Sequence, residues 1–305
     1  MNDALQNICD LSKILKSSYG ESLSETSGGG DPAVVAKNWR DLVARHLQMP
    51  KNSTVLDYGC GIGRLAIGLL EDRNDLKYFG IDVVPEFIEF AKKYITKINE
   101  NFIFFLVDDA NEYYEKYTIK DKTKSDYTRF DFLECKPDFI FALSLFSHLN
   151  IVEAQKVLKN ISSCMHDDSV VFLTTFIIDI EAKNSMRSSE TFPFNPNSTH
   201  YYESYVEDDY NGPQSAIGFE RSTLEDLFLT YNLVITQQIS GYWRGHSYAN
   251  NKSLQDILIL RKRKQIPDDF DEDLYLDRHE DVKNSGMSPK FHWLSFGFHE
   301  GRQLK

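Results

Sequence analysis

Between Ser53 and Ile178, short apolar runs alternate with amphipathic stretches, and no other feature restricts the possible fold as much. The runs are STVLDYG, LKYFGID, NFIFFLV, PDFIFALSLF and SVVFLTTFI. Each is almost continuously apolar, as strands covered on both faces must be. Between them lie GRLAIGLLED, VPEFIEFAKKYITKI and IVEAQKVLKNISS. The second of these puts Phe87, Ile88, Ala91, Tyr94, Ile95 and Ile98 on one side of a helix. A further helix precedes the first run, with Val35, Trp39, Leu42, Val43, His46 and Leu47 on one face. Later, STLEDLFLTY, NLVITQQIS and LQDILILRKR restore a helix and two strands. The expected fold class is α/β: a Rossmann-like, seven-stranded, mostly parallel sheet with helices on both faces.

Composition shifts divide the chain. Residues 1–31 end in the polar, glycine-rich SETSGGGDP and read as a flexible or lid segment. Residues 32–264 form the main domain, interrupted by insertions at 111–136 and 179–221. The first is charged and tyrosine-rich, and the second holds Pro193, Pro196 and Pro213; neither reads as a core element. Near Gln265 an acidic segment begins, and residues 265–305 are expected to form a small, mainly helical C-terminal module.

The formal charge is −12, from 46 acidic and 34 basic residues, which argues against a nucleic-acid partner that must be held through its phosphates. Cys9, Cys60, Cys135 and Cys164 follow no metal-ligand spacing and read as reduced thiols. The N-terminus lacks the pattern of a signal peptide, and no apolar run is long enough to cross a bilayer. A cytoplasmic location is expected, and association with the inner membrane face would come through pathway partners.

In an open α/β sheet the ligand sits at the carboxyl ends of the strands, so VLDYGCGIGR, residues 55–64, should carry it. The dinucleotide fingerprint G-x-G-x-x-G fails here, because Arg64 stands where its last glycine belongs. The segment instead resembles motif I of the class I S-adenosylmethionine-dependent methyltransferases, and the likeness spans roughly residues 32–262. It implies S-adenosylmethionine as cofactor, S-adenosylhomocysteine as product, and Asp57, Gly59, Cys60, Gly61, Gly63 and Arg64 as the cofactor loop. Asp82, ending YFGID, matches the acid that binds the ribose hydroxyls, with Val83 beside it. Asp108, Asp109 and Ala110 in FLVDDA match the adenine-binding acid, and Leu143 in FALSLFSHLN completes the set. The chemistry agrees with the likeness. A sulfonium cofactor has no phosphates to neutralise, and a carboxylate can accept both ribose hydroxyls in charge-assisted hydrogen bonds.

Methyl transfer from a sulfonium is an in-line displacement, so the protein must position the reactants and remove a proton. His148, in FSHLN at the cleft mouth, is the candidate base, since an imidazole titrates near working pH. The other readings of this histidine are loop ordering, capping of the helix at Ile151, and cofactor contact. His200 and His246 are further candidate bases. Tyr201, Tyr202 and Tyr205 are expected to recognise the acceptor by stacking, because an unshifted phenol is a poor base at neutral pH. Trp243, Arg244 and His246 in GYWRGHSY are expected to shape the acceptor pocket. No metal is expected: the acid runs at 207–209 and 108–109 lack octahedral spacing.

The tail FDEDLYLDRHEDVKNSGMSPKFHWLSFGFHEGRQ resembles a short module that accompanies bacterial enzymes of cell-surface polysaccharide assembly, often glycosyltransferases. Its matched residues look structural. The resemblance implies a methyltransferase acting on a sugar hydroxyl of a surface glycan such as O-antigen or capsule. Glycosyltransferases of the same pathway, or of the same polypeptide, would be its partners. Two alternatives stand beside this reading: a methyltransferase of another small acceptor (an amine, a carboxyl or a secondary metabolite), and a non-catalytic cofactor-binding scaffold.

Overall fold

The computed structural model describes residues 30–107, 135–188, 199–201, 205–208, 216–245, 252–263 and 270–297, with Leu11, Ile14, Leu15, Ser17, Leu133, Glu300 and Arg302. In chain order the elements of the main body are α1 (Pro32–His46), β1 (Thr54–Tyr58), α2 (Arg64–Leu70), β2 (Lys77–Asp82), α3 (Pro85–Tyr94) and β3 (Phe102–Leu106). There follow β4 (Phe139–Ala142), a 3-10 turn (Phe146–His148), α4 (Ile151–Cys164), β5 (Val170–Ile178) and α5 (Ile180–Ser188). The later part holds β6 (Thr199–Tyr201), β7 (Tyr205–Asp208), β8 (Ala216–Glu220), α6 (Arg221–Thr230), β9 (Leu233–Ile239), a 3-10 turn (Tyr242–Arg244) and β10 (Asp256–Lys262).

The expected seven-stranded sheet is present. Strands run in the order β3-β2-β1-β4-β5, all parallel, and β10 and then β9 extend the sheet antiparallel beyond β5. The chain leaves β1 toward β2 and β3 on one side and returns to β4 on the other, so the carboxyl end of β1 is the switch point where a ligand crevice opens. Successive residues of β1 face opposite layers. Leu56 and Tyr58 pack with Ala154, Leu158 and Ile161 of α4 and with Leu224 and Phe228 of α6. Val55 packs with Leu42 and Val43 of α1, Leu65 and Leu69 of α2, and Ile88 of α3.

The insertion at 179–221 departs from expectation. Its polar, proline-containing sequence predicts no core element, yet β8 pairs parallel with the end of β5, and Ile217 and Phe219 are fully buried. β7 and β6 continue this annex antiparallel. Nine-residue β5 makes this possible: its first part pairs with β4 and β10, and Phe176–Ile178 runs on to hold β8. AIGFE is too short for its periodicity to stand out from a polar, proline-containing stretch.

Close helix packing sets the wall of the crevice. A Cβ on Gly68 of α2 would lie 2.3 Å from the Ala36 carbonyl oxygen of α1, so the missing side chain lets the two helices touch. Gly68→Ala should destabilise the fold by roughly 1–3 kcal/mol despite alanine's better helix propensity, because backbone must move to admit the methyl. Urea unfolding followed by far-UV circular dichroism will measure this.

Beyond Phe270 the chain forms α7 (Glu272–Arg278), α8 (Glu280–Ser285), α9 (Pro289–His292) and a π turn (Trp293–Gly297). Tyr275, Val282 and Trp293 are buried together with Phe270, Leu276 and Leu294 packed on them. The Tyr275 hydroxyl lies 2.9 Å from His292 Nδ1, and Arg302 grips both carboxylate oxygens of Asp281 at 2.9 and 2.7 Å. The residues matched by the tail motif are thus largely the small core and its clamp. The π turn rests against β9. No helix of the described residues is long and apolar enough to cross a membrane.

Candidate active site

Asp57 is the fourth residue of β1, a strand buried along its whole length. The Tyr78 hydroxyl of β2 donates to Asp57 Oδ2, while Oδ1 is buried with no hydrogen-bond partner among the described residues. The chain then turns through Gly59, Gly61 and Gly63, all at positive φ (78°, 55° and 84°), where side chains are strained. The Gly59 and Cys60 amides both donate to the Ile81 carbonyl at 2.9 Å, which stitches the loop to the end of β2. Asp82 finishes that strand, and its oxygens accept from the Gly61 amide at 2.8 Å and the Val84 amide at 3.0 Å. One acid therefore braces the glycine loop and still has lone pairs to offer.

A cavity of about 400 Å³ opens over this loop. It is lined by Asp57, Gly59, Cys60, Gly61, Arg64, Asp82, Val83, Leu143 and His148, so nine of the residues expected from the sequence meet on one wall or another. Gly63 is not among them. It is the N-cap of α2, and a Cβ there would lie 2.5 Å from Ile95 Cδ1 of the turn after α3, so its missing side chain serves close packing. Asp108, Asp109, Ala110, Tyr202 and His246 lie outside the described residues. His200 and Tyr201 lie on β6 and Tyr205 on β7, on the annex of the sheet.

Two acceptor-pocket candidates are corrected by the structure. Trp243 and Arg244 are buried in the closing turn and do not line the cavity. Arg244 donates from Nε to Asp256 at 2.7 Å, from Nη1 to both oxygens of Asp179 at 2.9 Å, and from Nη2 to the Ile177 carbonyl at 2.9 Å. Trp243 Nε1 donates to Asp256 at 3.0 Å, and its ring meets Phe176 edge-on at 5.3 Å. The 3-10 turn sends the preceding residue outward instead: Tyr242 is 45% exposed and lines the cavity. Asn38 and Trp39 of α1, with Lys252 and Gln255 before β10, also line the cavity, and no sequence pattern marks them as site residues. Trp39 counted only toward an apolar helix face, and one face can serve both core and cleft.

His148 ends the 3-10 turn after β4, where its amide donates to the Leu145 carbonyl at 3.0 Å, and it is half-buried on the cavity wall. It does not cap the next helix. Asn150 does, accepting from the amides of Val152 and Glu153 at 3.0 and 3.1 Å, while Glu153 accepts the Asn150 amide at 2.8 Å.

Residues 34–238, more than half of the chain, match the family model of the methyltransferase domain. The chain belongs to that methyltransferase family. S-adenosylmethionine is the methyltransferase's cofactor, and the cleft fits it. The orphaned Asp57 oxygen suits an ammonium, Asp82 suits hydroxyls, and Arg64 suits a carboxylate. A 59-residue stretch is 42% identical to a tRNA N(3)-methylcytidine methyltransferase of Schizosaccharomyces pombe, covering 19% of this chain and 23% of that protein. The methyltransferase thus spans about a quarter of that relative's length in the match. Among solved structures it is similar to the PH0226 protein of Pyrococcus horikoshii OT3 (16% identity, TM-score 0.48, covering 78% of this chain and 93% of that one). It is also similar to the magnesium protoporphyrin IX methyltransferase of Synechocystis PCC 6803 with bound S-adenosylhomocysteine (14% identity, TM-score 0.48, 83% and 99%).

Burial pushes Asp57 up to about 7, against the Tyr78 hydrogen bond that favours its charged form. Burial also raises Asp82 to about 6, opposed by the Val84 and Gly61 amides. Folded Asp57 thus keeps its proton up to about pH 7, whereas an unfolded aspartate releases it near ~4. The folded state binds more protons across that window, so the stability of the ligand-free methyltransferase should decline as pH rises through it. A bound ammonium favours ionised Asp57 in the opposite sense. Affinity for S-adenosylhomocysteine should therefore weaken as pH falls below about 7, by up to about tenfold per unit. Calorimetric titration across this range will measure it, and Asp57→Asn should flatten the profile.

Proposed function

We propose that the methyltransferase methylates a sugar hydroxyl of a bacterial surface glycan, with His148 as general base. The observation that carries the reading is that half-buried His148 lines the same cavity as Asp57 and Asp82. Bound S-adenosylmethionine supplies an electrophilic methyl group on a sulfonium. Asp57, Asp82 and Arg64 line the cavity and would hold and orient that ligand. With the cofactor bound, an unprotonated ring nitrogen of His148 would take the proton of the attacking hydroxyl as the methyl group is transferred.

Three features support a glycan acceptor. Trp39 and Tyr242 are aromatic residues of the cavity lining, and aromatic faces stack on sugar rings. The tail resembles a module of polysaccharide-assembly enzymes. The charge of −12 disfavours a phosphate-rich acceptor, despite the short match to a tRNA methyltransferase.

The first experiment is calorimetric titration with S-adenosylmethionine, S-adenosylhomocysteine and NAD. A panel assay for S-adenosylhomocysteine release follows, with methyl glycosides, oligosaccharides, primary amines, carboxylic acids and tRNA as acceptors. Binding of both sulfur compounds but not NAD, with turnover on saccharides, is expected. Turnover confined to amines, carboxylic acids or tRNA would overturn the glycan reading, and binding without any turnover would favour a scaffold.

A further inference from the structure

We propose that Gln255 is a positioning residue for His148, acting through a closed ring of hydrogen bonds that clamps the turn after β4. The inference rests on the reading of His148 as the base, but its geometry stands on its own. Ser144 leaves β4 at φ 55°, a left-handed conformation that a residue with a side chain adopts only when its surroundings hold it there. Both backbone polar groups of Ser144 are held. Its amide donates to Thr174 Oγ1 at 2.7 Å, and its carbonyl accepts from Ser147 Oγ at 2.9 Å. Gln255 closes the circuit. Its Oε1 accepts from Thr174 Oγ1 at 2.7 Å, and its Nε2 donates to Ser147 Oγ at 2.9 Å.

Donors and acceptors are consistent all the way round. Each hydroxyl accepts once and donates once, and the amide uses its oxygen on one side and its nitrogen on the other. A side chain at the join must offer an acceptor to one hydroxyl and a donor to the other, and an amide does so from two separate atoms. Thr174, Ser147 and Gln255 are all buried, so a broken link would not be made good by bulk water. Gln255 itself is fixed from behind, because the next residue, Asp256, is a fully buried anchor in register with Thr175 of β5. The ring therefore conveys the position of the closing hairpin to Ser147, and His148 follows directly. Leu145 and His148 face the cleft from the clamped turn, so its conformation decides where the imidazole stands.

The test uses the ligand-free full chain labelled with [13Cε1]-histidine, with the His148 signal assigned by its loss in His148→Ala. Gln255→Leu and Thr174→Val should each shift or broaden that signal and speed amide exchange at Ser144 by about tenfold or more. Thr174→Ser keeps the hydroxyl and should retain the wild-type signal. Thr175→Val supplies the control: it removes a neighbouring buried hydroxyl that has no partner among the described residues, and it should leave His148 unmoved. An unchanged His148 signal in Gln255→Leu, or an equal change in Thr175→Val, would overturn the proposal. Should Gln255→Leu fail to fold, the contrast between Thr174→Val and Thr174→Ser decides. No donor or acceptor is added, so the result does not depend on methyl transfer, and failure of the acceptor assay would leave it readable.

Discussion

Arg244→Ala should cost about 3–5 kcal/mol of folding stability, the range expected when one partner of a buried charge cluster is removed. The guanidinium side chain is 1% exposed and bridges two carboxylates and a backbone carbonyl. Burial alone would lower its pKa, but Asp256 and Asp179 hold it above the ordinary arginine value. On the other side, Asp256 is fully buried and also accepts from the Gly241 amide at 2.8 Å, the Ile177 amide at 2.9 Å and Trp243 Nε1 at 3.0 Å. Removing Arg244 leaves that carboxylate in the core without the guanidinium that bridges it. A domain of this size has only about 5–15 kcal/mol in total, so the loss is a large fraction of it. Lysine should rescue little, because a point charge cannot replace a planar fork. Equilibrium urea unfolding will measure the effect. Wild-type stability with a raised acceptor KM would instead return Arg244 to the acceptor pocket, where the sequence had put it.

His148→Ala should lower kcat by roughly 10²–10⁴-fold, the usual contribution of a positioned general base. At ~1.36 kcal/mol per decade this is about 3–5 kcal/mol of barrier. Calorimetric affinity for S-adenosylhomocysteine should stay within about threefold of wild type, because the groups suited to its ammonium, hydroxyls and carboxylate are Asp57, Asp82 and Arg64. A collapse of affinity would place the imidazole on the cofactor. Unchanged turnover would remove it from the chemistry altogether.

The parts of this protein that were legible along the chain are those whose cause is local. A strand buried on both faces has to be apolar throughout, so β1 to β5 announce themselves, and their order with the intervening helices places the crevice at the end of β1. Glycines at positive φ and an acid closing the next strand are likewise local requirements, which is why the turn at Gly59 and Gly61 and the strand end at Asp82 are legible in the sequence. Trp243 and Arg244 were assigned to the wrong environment because side-chain direction in a short turn follows no periodicity. One residue's rotation exchanges Tyr242 for Trp243 at the cleft, and the direction is set by Asp256 and Asp179, which are remote along the chain. Gln255 gave no signal for the same reason: its partners Thr174 and Ser147 are 81 and 108 residues away. The sequence by itself determined the sheet, the glycine turn after β1 and the placing of a histidine after β4. Only the tertiary structure decided which polar residues of the closing hairpin face the ligand and which are spent in the core, because that choice depends on long-range partners rather than on neighbouring residues.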